Sequence, residues 1–432
     1  MYFRQALATM REEKLFSGIY IAGTAMALAF TMVMAVVYYI KLAPIYPEPN
    51  RQRTVYSNMI EVRIKKDGKT LGVTGYAFSE KAFEEWFLPS KNYEHCAPTL
   101  AATGRGKISS YDSECAVKGK EEYVGVITNY TNADFFKIYQ YDFLEGRPLT
   151  EQDVENREKV CVVSDDFAER YFGRGVSAVG GTVETENREA VRVVGVVRGA
   201  SGLTPDSYIQ VFKPYTLRGT AHADNPYCGS YGIVLTVKDN RQLQALKHEL
   251  DEIAARLTQS GGIHVGWAEE GATKTVRLTS AMETHIMHTL RNECSNGSLL
   301  EDVSTWQVVK HYAGLLFILL FVPALNLCGI VAGRMERRTA EMENLVLTGI
   351  GGLIGLVVAW LSIYAFRSDL LGLFFDSSAV GSSPIVTGEM LFAPLLFVGA
   401  FLAILIINLL SALLPAWLSL RKPIVESMME KR

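Results

Sequence analysis

The sequence predicts an α-helical membrane protein with four transmembrane helices and a large α+β extracytoplasmic domain inserted between helices 1 and 2. Three observations predict it. Residues 15–40 (LFSGIYIAGTAMALAFTMVMAVVYYI) carry no charge, with Lys14 before them and Lys41 after. A long polar stretch then runs to residue 304, and three further apolar runs crowd the rest of the chain. The cations flanking these runs fall on one side of the implied membrane.

The first run has 26 residues, and at about 1.5 Å each it reaches roughly 39 Å, enough to cross the hydrocarbon core with some tilt. A secretory signal peptide is the competing reading. Its apolar core is shorter and ends in small residues, whereas this run leaves through Tyr38, Tyr39, Ile40 and Lys41. A retained anchor is expected. Before it, Tyr2, Phe3, Ala6, Leu7 and Met10 alternate with Arg4, Arg11 and Lys14 at helical spacing, so residues 1–14 read as an amphipathic interfacial helix.

The polar region, 41–304, begins with Pro44, Pro47 and Pro49, which force an extended exit. Tyr56–Ile64 and Leu71–Tyr76 read as strands joined at Asp67-Gly68, a pair suited to positive φ. Ser79 caps a short helix presenting Phe83, Trp86 and Phe87. Val160–Val163 and Val191–Val197 read as buried strands, and between them Ser164 caps a helix over 165–172 that stops at Gly173. Ile233–Val237 is a further strand, leading into a helix with Leu243, Leu246, Leu250, Ile253 and Leu257 in one stripe. Strands and helices alternate irregularly, so this is a mixed α+β domain of two lobes.

The later spans are placed at 305–333, 344–366 and 390–420. Between them lie a short cytoplasmic loop (334–343) and an external loop (367–389), and residues 421–432 form a tail. Arg334, Arg337 and Arg338 follow the second span, while Arg421, Lys422, Lys431 and Arg432 follow the fourth. The external loop holds Arg367 against Asp369, Asp376 and Glu389. Both termini are therefore expected inside and the large domain outside. Gly351 and Gly355 form a G-x-x-x-G that lets another helix approach, and Asn408 and Ser411 are polar groups suited to bonding between helices.

Several function classes drop out. A net charge of -3 with no basic domain gives no basis for nucleic-acid binding. There is no phosphate-cradling G-x-x-x-x-G-K-[ST], and neither G-x-S-x-G nor H-E-x-x-H occurs, so no cofactor and no catalysis are expected. The six cysteines form no C-x-x-C. Outside the cytoplasm disulfides persist, which makes Cys96 with Cys115, then Cys228 with Cys294, the first pairings to consider. His285 and His288 share a helical face but lack further ligands at metal spacing.

Two ordered sets of motifs carry a family resemblance. The first runs NADFFKIYQYDFLEGRPLTEQD from Asn132, then KVCVVSDDFAERYFG, then VRVVGVV to Val197. The second is NLLSALLPAW (408–417) followed by RKPIVESM (421–428). In this order they resemble the MacB/FtsX-type ABC transporter permeases. The resemblance implies a subunit of the bacterial inner membrane that dimerises with a like chain, identical or not. A separate cytoplasmic ATPase would drive it, passing motion to the periplasmic domain, with a periplasmic or outer-membrane partner beyond. It also implies a membrane-proximal lobe from both ends of the domain and a distal lobe, about 126–225, inserted between them. In the family an Arg-rich, Glu-containing lead precedes a helix that docks on the ATPase. RMERRTAEM (334–342) matches the lead, but the glycine- and arginine-containing middle is missing. Arg334, Glu336, Arg337, Arg338, Glu341 and Glu343 are then the docking contacts this chain offers. An uncoupled membrane-anchored receptor or scaffold for an envelope protein is the rival reading, favoured by that shortened loop.

Overall fold

The computed structural model describes residues 14–100, 112–116, 123–184, 190–218, 225–269, 271–280, 282–294 and 340–365, with a few isolated positions between 306 and 406. The chain divides into two compact units, one centred on residues 40–308 and one on the helices before and after it.

Helix α1 (Lys14–Leu42) has 29 residues; as far as Tyr39 it belongs to the helical unit, and its last turn, Ile40–Leu42, to the α+β unit. Part of the side chains of this helix lie outside the described set, and among the described residues no helix is long and apolar enough to cross a membrane. The far helix, here α8 (Ala340–Ala365), starts four residues before the expected third span and so takes in Glu341 and Glu343. Gly351 and Gly355 lie on its buried side in line with Ala359 and Ile363, while Leu353, Ile354, Val357, Leu361 and Tyr364 are exposed. Arg334, Glu336, Arg337, Arg338, Asn408 and Ser411 lie outside the described residues.

Among the described residues the α+β unit holds three sheets. Two belong to a lobe made from both ends of the domain. One has the order β15-β1-β13-β4, with β1 (Thr54–Ser57), β4 (His95–Thr99), β13 (Gly232–Thr236) and β15 (Met282–Thr284). The other runs β12-β3-β2-β14, with β2 (Ile60–Lys66), β3 (Lys69–Phe78), β12 (Cys228–Gly229) and β14 (Thr273–Arg277). Asp67 and Gly68 both take positive φ, 51° and 76°, and close the β2–β3 hairpin as their sequence demands.

The expected strand Tyr56–Ile64 is two strands in different sheets. Val55 faces the same core as Ile60, Val62 and Ile64. An odd and an even position cannot share one face of one strand, so the chain breaks at Asn58–Met59. Ser79 Oγ accepts from Ala82 N at 3.1 Å and caps α2 (Glu80–Ala82), which continues as a π turn burying Phe83, Trp86 and Phe87. The long helix α6 (Asn240–Ser260) is capped by Asp239 and stops at Gly261, whose φ is 63°. Its Leu243, Leu246, Leu250 and Ala254 are buried, each leucine contributing about 1.5–3 kcal/mol relative to an exposed one.

The inserted lobe is a seven-stranded sheet, β7-β10-β8-β11-β6-β5-β9. Its strands are β5 (Asp112–Ala116), β6 (Tyr123–Thr131), β7 (Phe143–Gly146), β8 (Val160–Ser164), β9 (Thr182–Glu184), β10 (Ala190–Val197) and β11 (Val211–Pro214). The sheet therefore starts upstream of residue 126. Three helices lie within it in sequence: α3 (Phe135–Ile138), α4 (Glu151–Glu155) and α5 (Asp165–Phe172). β8 pairs in parallel with β10 and is buried on both faces, Val160 and Val162 toward one core, Cys161 and Val163 toward another. That explains an apolar run without alternation. Ser164 precedes α5 but its hydroxyl makes no cap bond. Asp165 Oδ1 instead accepts from Asp166 N and Gly199 N, both at 2.8 Å. Thr150 and Asp153 form a reciprocal capping box on α4.

Of the four cysteines in the two expected pairings, Cys96 and Cys228 have described side chains. Cys96 and Cys228 are buried free thiols. Cys96 lies on β4, whose partner is β13, and Cys115 on β5 of the inserted sheet. The side chains of Cys115 and Cys294 lie outside the described set.

Candidate functional site

The last four carbonyls of a helix have no partner within it. At the end of α1, side chains from the α+β unit take two of them. Arg51 Nη1 donates to Ile40 O at 2.6 Å and to Ala43 O at 2.7 Å. The imidazole Nε2 of His285 lies 2.9 Å from Lys41 O. Arg51 comes from the exit segment and His285 from the first turn of α7 (His285–Cys294), at opposite ends of the domain's sequence.

Arg51 is fixed from its other side. Its Nε donates to Glu48 Oε2 at 2.8 Å, and Glu48 Oε1 accepts from Ser207 Oγ at 2.5 Å. Arg51 and Glu48 are only 3% and 2% exposed, so both charges are fully withdrawn from water. Such a pair persists only when further donors and acceptors are satisfied, and here the helix end takes Arg51 Nη1 and Ser207 takes the second Glu48 oxygen.

The exit segment is docked along its length on the inserted lobe. Gln140 N donates to Pro47 O at 2.8 Å, and Asn50 Nδ2 to Ile138 O at 3.2 Å. Tyr46 Oη donates to Arg198 O at 2.7 Å while the Arg198 guanidinium lies 3.7 Å over the Tyr46 ring. The lobe expected to be distal thus holds the helix exit directly. The extended exit expected from the three prolines is corrected: the segment folds into turns, with Glu48 N donating to Ile45 O at 2.6 Å and Arg53 N to Asn50 O at 2.8 Å.

Around His285 one proton is fixed by the geometry. A carbonyl only accepts, so Nε2 donates to Lys41 O, and Nδ1 lies 3.2 Å from Tyr56 Oη. Tyr139 Oη in turn donates to Tyr56 Oη at 3.4 Å. His288 stacks on Tyr56 at 4.5 Å and lies 3.7 Å from Asp206 and 3.9 Å from Glu283. Burial opposes ionisation of Asp206, but the hydrogen bond to His288 and the nearby cationic groups outweigh it and hold the carboxyl below its ordinary value. Burial pushes His285 below its ordinary 6.5, with Glu48 and Asp206 opposing and Arg51 assisting. It pushes the Tyr56 hydroxyl well up.

His285 and His288 are thus both brought to the joint as hydrogen-bonding and stacking groups. Among the described residues no group of three or more His, Cys, Asp and Glu side chains is placed to hold a metal ion. Glu48, Arg51, Ser207 and Asp206 have no counterpart in the sequence reading. The signal available was the Glu48–Arg51 spacing of three inside a proline-rich exit, where a solvated pair would be the ordinary assumption. The arrangement holds a helix end.

The two-lobed α+β domain is of the kind found in a membrane-anchored protein with an extracytoplasmic domain. Residues 17–253, more than half of the chain, match the family described as MacB-like periplasmic core domain, and the chain belongs to that family, the MacB/FtsX-type ABC transporter permeases. Solved structures with a similar region include the periplasmic region of MacB from Actinobacillus actinomycetemcomitans, 16% identical with a TM-score of 0.32 over 49% of this chain and 95% of that one. The extracellular domain of the noncanonic ABC-type transporter YknZ from Gram-positive bacteria is 16% identical, with a TM-score of 0.33 over 51% and 99%. A domain of a putative permease protein from Porphyromonas gingivalis is 12% identical, at 0.33 over 61% and 98%. No curated protein matches the chain.

Proposed function

We propose that this chain is the permease subunit that passes ATP-driven motion from a separate cytoplasmic ATPase to its extracytoplasmic domain, exporting or extracting a peptide, drug or lipoprotein. In this reading it crosses the inner membrane four times, at 15–40, 305–333, 344–366 and 390–420, with both termini cytoplasmic, and works as a dimer. The family membership supports the transporter class. The joint at the end of α1 supports the transmission.

One observation carries the reading. Ile40 O, Lys41 O and Ala43 O are bonded by side chains rather than left to water, and the bonding side chains are themselves anchored in both lobes. Hydrogen bonds to a charged guanidinium contribute about 1.5–3 kcal/mol each, so displacing the helix end has to displace the domain or break them. A free linker would transmit nothing. Docking of the ATPase falls to Arg334, Glu336, Arg337, Arg338, Glu341 and Glu343, and dimer packing to the Gly351–Gly355 line with Asn408 and Ser411.

Affinity purification of the chain from its own membranes in mild detergent, with mass spectrometry of what accompanies it, tests this. A cytoplasmic ATPase recovered in near-equal amount is expected. Recovery of envelope proteins alone would overturn the coupled reading.

A further inference from the structure

We propose that the outer edge of β3 is a docking site for an extended, acidic segment of another extracytoplasmic protein, which adds to the sheet β12-β3-β2-β14 as a further strand. Such docking goes beyond the coupling role and holds whether or not an ATPase drives the chain.

Alternate residues of a strand turn their N–H and C=O to opposite edges. Phe78 exchanges both of its backbone bonds with Tyr231, at 2.8 and 2.9 Å. Its neighbours then face the other way, and Ser79 N donates to Tyr227 O at 2.9 Å, beside β12. β12 lies on one side of β3 and β2 on the other. Thr74 and Tyr76, in step with Phe78, therefore face β2, while Val73 and Gly75 face the β12 side. β12 reaches only Phe78 and Ala77. Among the described residues no strand lies on that side of residues 69–76, an edge roughly 26 Å long at about 3.3 Å per residue.

An uncovered edge is a template for another strand, and folds commonly blunt it. Two other edges in this domain are covered by the chain's own side chains. On β14, Val276 N faces away from β2, and Thr258 Oγ1 of α6 accepts from it at 2.9 Å. On β4, Cys96 N donates to Asp134 Oδ2 at 3.3 Å and Cys96 O accepts from Asn132 Nδ2 at 2.9 Å. Val73 and Gly75 have no such cover among the described residues, and Gly75 is exposed.

Charge selects the occupant. Lys65 and Lys69 stand exposed at the hairpin end, and Lys274 pairs with Ile64 on the neighbouring strand. None of the three makes an ion pair among the described residues, whereas Lys66 is held by Glu269 at 2.7 Å. Glu61 is already taken by Arg63 and Arg277. β3 itself contains no acidic residue, so a second copy of it would add lysine to lysine. A segment with carboxylates near its ends neutralises them. Leu71 and Trp267, both exposed, give its middle an apolar contact. The indole lies against Gly72, where a side chain's first carbon would meet it at 2.6 Å. Backbone bonds then supply affinity and these flanking groups the selectivity.

The test uses the full chain in lipid discs and two labelled peptides, Glu-Glu-Thr-Val-Thr-Val-Thr-Glu-Glu and the same sequence with lysine for every glutamate. The acidic peptide should bind about tenfold more tightly at low salt, with the preference shrinking as salt is added. Lys65→Glu combined with Lys69→Glu should reverse the preference. Val73→Pro removes an outward N–H but no bond to β2, and should cost most of the binding. In hydrogen exchange the amides of Val73 and Gly75 should be fast in the chain alone and slow about tenfold with the acidic peptide bound, while Thr74 and Tyr76 hardly change. Equal binding of the two peptides overturns the proposal, as does no binding of the acidic one or undiminished binding by Val73→Pro. Slow exchange at Val73 and Gly75 in the chain alone, with two copies cross-linking through Thr70→Cys, would give the edge to a second copy and also overturn it. Should Val73→Pro not fold, an unreversed preference in the doubly charge-reversed variant decides against it.

Discussion

Two ion pairs of this domain, one between residues six apart and one between residues three apart, do different jobs. Arg147 and Asp153 pair at 2.5 Å beside the capping box of α4, with the arginine 44% exposed. Glu48 and Arg51 pair at 2.8 Å with both side chains almost fully buried. The first pair closes on itself: Asp153 also accepts from Thr150 N at 2.8 Å and Thr150 Oγ1 at 2.7 Å, so every partner lies within six residues. The second pair reaches outward, to Ile40, Ala43 and Ser207. A local pair trims one turn. A buried pair with distant partners fixes where one part of the chain lies against another.

The sharpest way to break this comparison is Arg51→Met in the full chain. It leaves Glu48 charged and buried and strips the end of α1, and should destabilise the domain by about 3–5 kcal/mol in denaturant unfolding. Combining it with Glu48→Met should recover much of that loss, because no lone charge remains. If the single and double replacements cost the same, the pair is not a buried unit. Gly146→Ala comes next. Gly146 has φ of 70° and a side chain there would run into the Val194 carbonyl, beside Arg147. A loss of about 1–3 kcal/mol is expected, read as a fall in the same unfolding midpoint. An unchanged midpoint would show that this turn tolerates what its geometry forbids.

Asp153→Asn should have the smallest effect, about 1 kcal/mol. Arg147, with help from Thr150, holds the Asp153 carboxyl at about 2 against an ordinary 3.8. Its contribution is complete above the ordinary value and vanishes as pH falls through about 2. The wild type should therefore lose stability over that acid range, and the variant should lose less of it. Parallel acid curves would mean that the pair contributes nothing measurable.

The contrast also marks what can be read from sequence. The capping box at Thr150 and Asp153, the Asp67-Gly68 turn and the stripe on α6 are all legible because each is specified within a few residues. The apolar character of β8 was legible, but not its burial on both faces. The strand break at Asn58–Met59 could be found only from the parity of Val55 against Ile60, which presupposes knowing that both face one core. The joint was the least legible part. Glu48 and Arg51 look like any charged pair, and Asp206 and Ser207 like any loop, until the fold brings 40–51, 204–207 and 285–288 together. The two histidines drew attention by spacing, yet spacing alone gave no hint of Lys41 O or Tyr56. Ser164 shows the reverse error, a good cap residue displaced by Asp165, whose carboxylate reaches Gly199 as well.

The sheet β15-β1-β13-β4 is covered on both sides. Val55, Cys96, Ile233 and Leu235 face the core shared with α6, and Tyr56, Ala97 and Val234 face the core of the inserted lobe. Cutting out residues 112–214 to make a minimal version would bare that second face to water, so neither lobe is a module that can be borrowed, swapped or expressed alone. Heat should melt the domain in a single calorimetric peak, and a protein engineer wanting to graft it onto another anchor has to move it whole, from Ile40 onward.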